Sequence, residues 1–284
     1  MGQGYQDRDY ELIDYELYEL SGFARPFRGP QPKSLDRGTF GICVGAAQTF
    51  GCYTPQPFPQ LLSEALGLPV MNMGVAGAGP SFFLRRNHFV DLINQSGFAV
   101  LQIMSGRSES NSLLESAGGE MLIRRSDSER IGAAPAWQQL LDTLSRGDLD
   151  ALVAETRFNW LSNMKLLLER ITVPTLLFWF SERTPDYHPA YSSIHSLFGA
   201  FPQFVDRAMM DSLVELAPCV ELVSSEGLPQ TLTSRFTGQA ASITMRKDLG
   251  GGEKRLNNYY PSPEMHRLAA SGLLPHVYKM MAAP

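Results

Sequence analysis

Five short apolar runs, separated by segments of helical periodicity, set the pattern of hydrophobic positions along this chain of 284 residues. The runs are Phe40–Val44, Pro69–Met73, Phe98–Met104, Thr175–Phe180 and Val220–Val223. Continuous apolar runs of this length, bounded by Gly or Pro, are typical of strands that are buried on both faces. The alternation of strands and helices predicts an α/β fold: a doubly wound, flavodoxin-like parallel sheet of five strands, with helices on both faces.

Helices are predicted between these runs from apolar residues at helical spacing and from boundary signals. Pro59–Gly67 begins with a proline and closes with a glycine, the positions that those residues favour in helices. The other predicted helices are Ser81–Gln95, Asp148–Ile171, Phe204–Leu216 and Glu264–Ala270.

The first 38 residues lie outside this alternating pattern and contain three prolines. They predict an irregular N-terminal arm, residues 1–38, which lies over an α/β domain of residues 39–284. Three loop-like stretches follow strand ends, at 106–135, 181–203 and 224–258. Because ligands bind beyond the carboxyl ends of the strands in doubly wound sheets, these loops are expected to crowd the binding edge.

Composition narrows the possible functions. The hydrophobic content of 44% suffices for a full core, while the net charge of −5 and the absence of a Lys/Arg cluster argue against nucleic acid. No basic and apolar leader opens the chain, and no apolar run approaches the roughly 20 residues that span a bilayer. We therefore expect a cytoplasmic protein without a membrane partner. Three cysteines without metal-ligand spacing predict neither a metal site nor a cofactor.

Two motifs carry candidate chemistry. Gly45–Gly51 reads G-A-A-Q-T-F-G directly after the first strand, and Asn257–Ala269 reads N-N-Y-Y-P-S-P-E-M-H-R-L-A. These segments resemble the first and last sequence blocks of the SGNH (GDSL-type) hydrolase superfamily, which implies a fold of the predicted kind. The resemblance places the nucleophile position at Ala47, the acid position at Asn257 and the base position at Tyr260.

The residues at these three positions argue against hydrolysis by the superfamily's mechanism. Ala47 has no oxygen and cannot form a covalent acyl intermediate. A tyrosine ionises near pH 10, so Tyr260 is a poor base, and Asn257 carries no charge to stabilise a cation. Thr49, Ser105 and His266 are the alternative catalytic residues, for an enzyme with a rearranged site.

Several residues near the motifs are candidates for binding a ligand. In the superfamily a strand ends in N-x-G and its glycine helps to bind the oxyanion; Gly74 matches that glycine. Arg107, beside glycine-rich turns, suits carboxylate, sulfate or phosphate, although a surface ion pair with Glu109 or another acid is equally consistent with the sequence. The other four candidates are Gln48, Thr49, Asn111 and Tyr260. Thr49 can instead hold its own turn together, and Asn111 can instead cap a turn.

Three functional hypotheses follow. The arm's F-R-G-P segment, Phe27–Pro30, resembles that of a degenerate bacterial branch of SGNH-like proteins without the triad, a likeness that implies no activity. The first hypothesis is a non-catalytic protein that binds an acylated or anionic glycan. The second is a hydrolase or group-transfer enzyme acting on a polysaccharide ester. The third is a structural or assembly subunit that docks on a protein partner through residues 1–38.

Overall fold

A parallel sheet of five strands forms the centre of the molecule, whose computed structural model describes residues 2–244 and 251–282. In chain order the strands are β1 (Gly41–Gly45), β2 (Val70–Gly74), β3 (Phe98–Gln102), β4 (Leu114–Ser116), β5 (Met121–Arg124), β6 (Arg130–Gly132), β7 (Thr175–Ser181), β8 (Cys219–Val223), β9 (Gln230–Thr231), β10 (Ile243–Thr244), β11 (Glu253–Lys254) and β12 (Leu256–Asn257). The central sheet has the order β2-β1-β3-β7-β8, with every pairing parallel. This is the flavodoxin-like order, so the predicted fold class is confirmed.

Helices cover both faces of this sheet. They are α1 (Gly2–Asp9), α2 (Ala47–Phe50), α3 (Phe58–Leu66), α4 (Pro80–Leu84), α5 (Asn87–Ile93), α6 (Ala133–Thr143), α7 (Arg146–Arg170), α8 (Ile194–Phe198), α9 (Arg207–Val214) and α10 (Pro263–Met281). Successive strand residues point to opposite faces, so Ile42 packs with the cluster of α4, α5, α7 and α9, while Cys43 packs with that of α3 and α10. None of the helices within the described ranges is long and apolar enough to cross a membrane.

Some predicted helix boundaries differ from the structure. The segment 81–95 forms two helices, α4 and α5, because Arg86 leaves the helical backbone region at φ −135° and ψ 80°. The last helix runs to Met281 rather than Ala270, because Leu273 and Val277 continue its buried face against the sheet. The helix predicted from Phe204 begins only at Arg207, since Phe204 has a φ of +68° and Asp206 caps the helix.

The stretch 106–135, predicted as a polar loop, contains regular structure. Strands β4, β5 and β6 form a small antiparallel sheet, and α6 begins at Ala133. Leu122 is fully buried against Trp137 and the surrounding apolar cluster. The polar composition concealed this sheet because only one of its faces is buried.

The N-terminal arm begins with the helix α1 rather than with the irregular chain that the sequence predicts. The Tyr15 hydroxyl accepts a hydrogen bond from the Tyr53 N–H at 3.2 Å. Arg28 forms an isolated antiparallel bridge with Asn72 at the sheet edge. α1 itself reaches the candidate site, where the Tyr5 hydroxyl lies 3.4 Å from that of Tyr260.

Candidate functional site

The turn that follows β1 is held by a single glutamine side chain. The Gln102 Oε1 accepts hydrogen bonds from the Thr49 hydroxyl at 2.6 Å and from the Ala46 N–H at 3.0 Å. A Cβ on Gly45 would lie 2.3 Å from that same oxygen, so the position requires glycine. The hydroxyl of Thr49 therefore fixes the turn that presents Ala47 at the edge of the sheet.

Gly74, which matches the glycine of the superfamily's N-x-G strand end, lies beneath this turn. The Gly74 N–H donates to Asn72 Oδ1 at 2.9 Å, and a Cβ on Gly74 would come within 2.1 Å of the Phe50 nitrogen. The backbone N–H of Gly74 is thus engaged within the protein. Three residues further along the chain, Gly77 adopts a φ of +69° and lines the cavity described below.

Tyr260 occupies the base position as a half-buried neutral phenol. Its hydroxyl lies 3.4 Å from the Tyr5 hydroxyl of the arm, and its ring packs edge-on against Tyr53 at 5.4 Å between centroids. Burial raises the pKa of Tyr260 well above the usual value near 10. Asn257, at the acid position, is fully buried and bonded to the backbone of the same loop.

His266 lies in the hydrophobic core and not in the site. Its Nδ1 accepts a hydrogen bond from the Phe58 N–H at 3.1 Å, and its ring packs against Phe58 and Phe180. Burial, with a smaller contribution from the charge of Arg28, lowers the pKa of His266 to about 3. His266 is therefore a neutral ring in the core, and it lies away from Ala47 and Tyr260.

A cavity of about 220 Å³ lies between the turn, the last block and the arm. The arm contributes Tyr5 and Arg8, so it forms a wall of the cavity. Ser105 also reaches the cavity, and its hydroxyl accepts a hydrogen bond from the Arg107 N–H at 3.2 Å. The lining residues are Tyr5, Arg8, Ala46, Ala47, Gln48, Tyr53, Gly77, Ala78, Ser105, Arg107, Ser108, Glu120, Phe201, Gln203, Lys254, Tyr259 and Tyr260.

Cationic side chains outnumber carboxylates around this cavity. Arg8 pairs with the buried Asp9, and Arg107 pairs with Glu120 at 3.0 Å. Lys254 adds a third cation, and burial, followed by repulsion from Arg8, lowers its pKa. Among the described residues the balance is therefore one positive charge, in partly desolvated surroundings that favour an anionic ligand.

Three residues of the cavity lining each carry a buried polar atom that has no hydrogen-bond partner among the described residues. These atoms are the Gln48 Oε1, the Gln203 Oε1 and the Tyr53 hydroxyl, on side chains that are 2 to 4% exposed. A buried polar group without a partner costs free energy, and most such groups in proteins are satisfied by protein, water or ligand. The two amide oxygens can accept hydrogen bonds from hydroxyl groups.

The structure gathers some of the predicted residues and separates others. Gln48, Arg107 and Tyr260 line one cavity, whereas Thr49 and Gly74 support the turn beneath it. The ion pair of Arg107 is made with Glu120 and not with Glu109.

Asn111 lies outside the cavity, in a turn of its own. Its Oδ1 accepts hydrogen bonds from the Leu113 and Leu114 N–H groups at 3.0 and 2.8 Å. Its Nδ2 donates to the Thr156 hydroxyl at 3.0 Å. This is the turn-capping arrangement that an asparagine commonly forms, and it takes up both ends of the amide.

Comparisons with known proteins assign the chain to a family. The topology defines a doubly wound α/β protein with its candidate site at the carboxyl edge of the sheet. The chain belongs to the family described as a domain of unknown function, DUF6473, whose model matches residues 4–115 and 138–281. No curated protein matches the sequence.

Solved structures with a similar arrangement include three from bacteria. A G-D-S-L family lipolytic protein from Desulfitobacterium hafniense is 12% identical, with a TM-score of 0.43 over 84% of this chain and 99% of that one. An acylhydrolase from Bacteroides fragilis is 12% identical, with a TM-score of 0.42 over 87% and 92%. An acetylxylan esterase from Geobacillus stearothermophilus is 12% identical, with a TM-score of 0.40 over 88% and 96%.

Proposed function

We propose that this protein is a non-catalytic member of the SGNH-like group that binds an acidic or acylated glycan in the cavity beside Ala47. The observation that carries the proposal is the combination, in one cavity, of excess positive charge with buried amide oxygens that lack partners. A ligand that brings both a negative charge and hydroxyl donors complements these groups. Sugar acids and their esters have this chemistry.

The loss of catalysis is supported by the groups at the three triad positions. Ala47 supplies no nucleophile, and the high pKa of Tyr260 keeps its phenol protonated at neutral pH. Asn257 is committed to the backbone of its own loop. Triad residues act as a unit, and losing them lowers turnover by about a million-fold in a serine hydrolase.

The aromatic lining supports a sugar ligand. Tyr5, Tyr53, Tyr259 and Tyr260 all border the cavity, and such rings combine an apolar face with a polar hydroxyl. The apolar face suits the C–H groups of a sugar ring, while hydroxyls and amides suit its oxygens. Arg107 is the residue best placed to hold the acidic group, because a guanidinium offers two parallel donors to a carboxylate.

Calorimetric titration with glucuronate, acetylated xylo-oligosaccharides and sulfated sugars tests the proposal, with glucose as the neutral comparison. We expect glucuronate to bind at least tenfold more tightly than glucose, and its binding to weaken as salt is added. Arg107→Gln should lower the affinity about tenfold or more, because it removes a charge-assisted hydrogen bond. Arg130→Gln, at an exposed arginine outside the cavity, is the matched control. Failure of every acidic, acetylated and sulfated sugar to bind would refute the proposal.

A rearranged enzyme is the second candidate, and the presence of Ser105 in the cavity lining favours it. A screen of acyl and sulfate esters measures this directly. Turnover that disappears in Ser105→Ala, with binding retained, would replace the non-catalytic proposal. We expect no turnover, because neither Ser105 nor Thr49 contacts a histidine or carboxylate among the described residues.

A further inference from the structure

A second cavity, of about 430 Å³, adjoins the first at the carboxyl edge of the sheet. Gln48 and Arg107, both at the turns that follow central strands, line both cavities. The full set of shared residues is Gln48, Arg107, Phe201, Gln203 and Tyr259. The two cavities therefore lie side by side, with the arginine and the two amides at their boundary.

The walls of this second cavity differ in chemistry from those of the first. Phe180, Phe198 and Met265 form its deep apolar surface and are at most 5% exposed. Besides Arg107, the ionisable residues of this lining are Glu182 and His195, and both are exposed. The second cavity thus offers an apolar interior with a polar mouth, which is the usual make-up of a pocket for an apolar group.

The volume of the first cavity limits how much of a ligand it can hold. Pockets for organic ligands usually measure about 300 to 1,000 Å³, and the cavity of about 220 Å³ beside Ala47 lies below that range. A single acidic sugar unit is the most that it can enclose. The remainder of a larger ligand lies outside this cavity, and the second cavity adjoins it at Arg107 and Gln203.

We infer that the ligand has two parts: an anionic, hydroxyl-bearing part in the first cavity and a covalently attached apolar substituent, an acyl or aryl group, in the second. This inference rests on the proposed function and specifies its ligand class. Arg107 holds the anionic part at the boundary between the two cavities. The substituent gains affinity from burial against Phe180, Phe198 and Met265.

Three small probes separate the two parts. Glucuronate carries the anionic part alone, phenyl glucoside carries the apolar part on a neutral sugar, and phenyl glucuronide carries both. Burying one ring should make phenyl glucuronide bind about tenfold or more tightly than glucuronate. It should also bind more tightly than phenyl glucoside, because only the acid can pair with Arg107.

A rim substitution tests where the phenyl group binds. Ala134 is exposed and lines only the second cavity, so Ala134→Trp should block that cavity without disturbing the core. We expect Ala134→Trp to bring the affinity for phenyl glucuronide down to that for glucuronate, while glucuronate itself binds as before. Ala154→Trp, at an exposed alanine of α7 outside both cavities, is the matched control and should change neither.

The outcomes distinguish the inference from the proposed function. If glucuronate and phenyl glucuronide bind equally well, or if Ala134→Trp weakens both alike, the two-part ligand is refuted although the anion-binding function stands. If phenyl glucoside binds as tightly as phenyl glucuronide, the anionic part is refuted. If none of the probes and none of the acetylated or sulfated sugars binds, the proposed function itself fails.

Discussion

The side chain of Asn257 forms hydrogen bonds with both the N–H and the carbonyl of Tyr260. Its Oδ1 accepts a hydrogen bond from the Tyr260 N–H at 2.9 Å, and its Nδ2 donates to the Tyr260 carbonyl at 2.8 Å. A third hydrogen bond, of 3.0 Å, runs from Nδ2 to the Gln230 Oε1. The residue at the acid position therefore positions the residue at the base position, and it needs an amide to do so, because it must both donate and accept.

Restoring the carboxylate at this position should destabilise the protein. In Asn257→Asp, a carboxylate would face the Tyr260 carbonyl and the Gln230 Oε1, two acceptors, in a fully buried position. We expect the free energy of unfolding to fall by about 3 kcal/mol at pH 7. Protonation makes the acid neutral and able to donate, so the deficit should shrink as the pH falls toward 4. Urea unfolding at several pH values measures both effects.

The neighbouring residue provides a control for this substitution. Asn258 is exposed, so Asn258→Asp adds the same charge without burying it. It should change the free energy of unfolding by less than about 0.5 kcal/mol. An Asn257→Asp variant as stable as Asn258→Asp would show that the amide is not required.

Supplying the missing nucleophile should not create an esterase. In Ala47→Ser, the hydroxyl would need a base, and Tyr260 stays protonated because its burial raises its pKa. We expect hydrolysis of nitrophenyl acetate to remain at the level of the unaltered protein. Ala46→Ser, at the adjacent cavity residue, controls for a nonspecific effect of an added hydroxyl. A burst of product in Ala47→Ser alone would mean that a base reaches position 47 after all.

The arm should be held in place mainly by one buried side chain. Arg28 is 2% exposed and donates to the carbonyls of Gly51 and Thr54, each at 2.9 Å, and to that of Pro55 at 3.0 Å. Arg28→Met leaves those acceptors without a donor and should lower the free energy of unfolding by about 2 to 4 kcal/mol. Thermal or urea unfolding measures the loss.

Release of the arm should also be visible as proteolysis. Limited digestion is expected to cleave residues 1–38 faster in Arg28→Met, whereas Arg37→Met, at an exposed arginine of the same arm, should behave as the unaltered protein. Arg28→Lys should rescue only in part, because one ammonium cannot reproduce the fork of a guanidinium. Equal cleavage of the arm in all variants would assign its attachment to other contacts.

The sequence was sufficient for most of the central sheet because four of its strands, β1, β2, β3 and β7, are buried on both faces. Ile42 and Cys43 point in opposite directions and both are fully buried, so the run could not be a half-exposed strand. Gln48, Arg107 and Tyr260 line one cavity because each follows a strand or motif that ends at the same edge of the sheet. Local spacing and sheet topology are therefore enough to predict the central sheet and the edge at which these three residues lie.

The rest of the site depends on contacts between distant parts of the chain. Tyr5 meets Tyr260 across 255 positions, and no local pattern in the arm marks Tyr5 or Arg8 as wall residues of a cavity. Lys254 enters from a short strand pair, too brief to show a periodicity. His266 stood out in the sequence as a titratable residue near a motif, but its helical phase turns it into the core.

The buried His266 should make stability depend on pH in a defined direction. Its pKa is about 3 in the folded protein because of burial, while an unfolded histidine titrates near 6.5. Between these values the unfolded chain binds a proton that the folded protein does not, so the free energy of unfolding falls as the pH is lowered from about 6.5 toward 3. The contribution of His266 to the free energy of unfolding should change by roughly 1 kcal/mol for each pH unit.

His266→Asn keeps an acceptor near the Phe58 N–H but cannot titrate, so it should be less stable at pH 7.5 and should lose this pH dependence. The stability difference between the two proteins, measured by urea unfolding, should therefore narrow from pH 6.5 to pH 5. His276→Asn, at an exposed histidine on α10, is the control, and its difference in free energy of unfolding from the unaltered protein should not change over this pH range. If the difference for His266→Asn is also constant, the core does not hold His266 neutral.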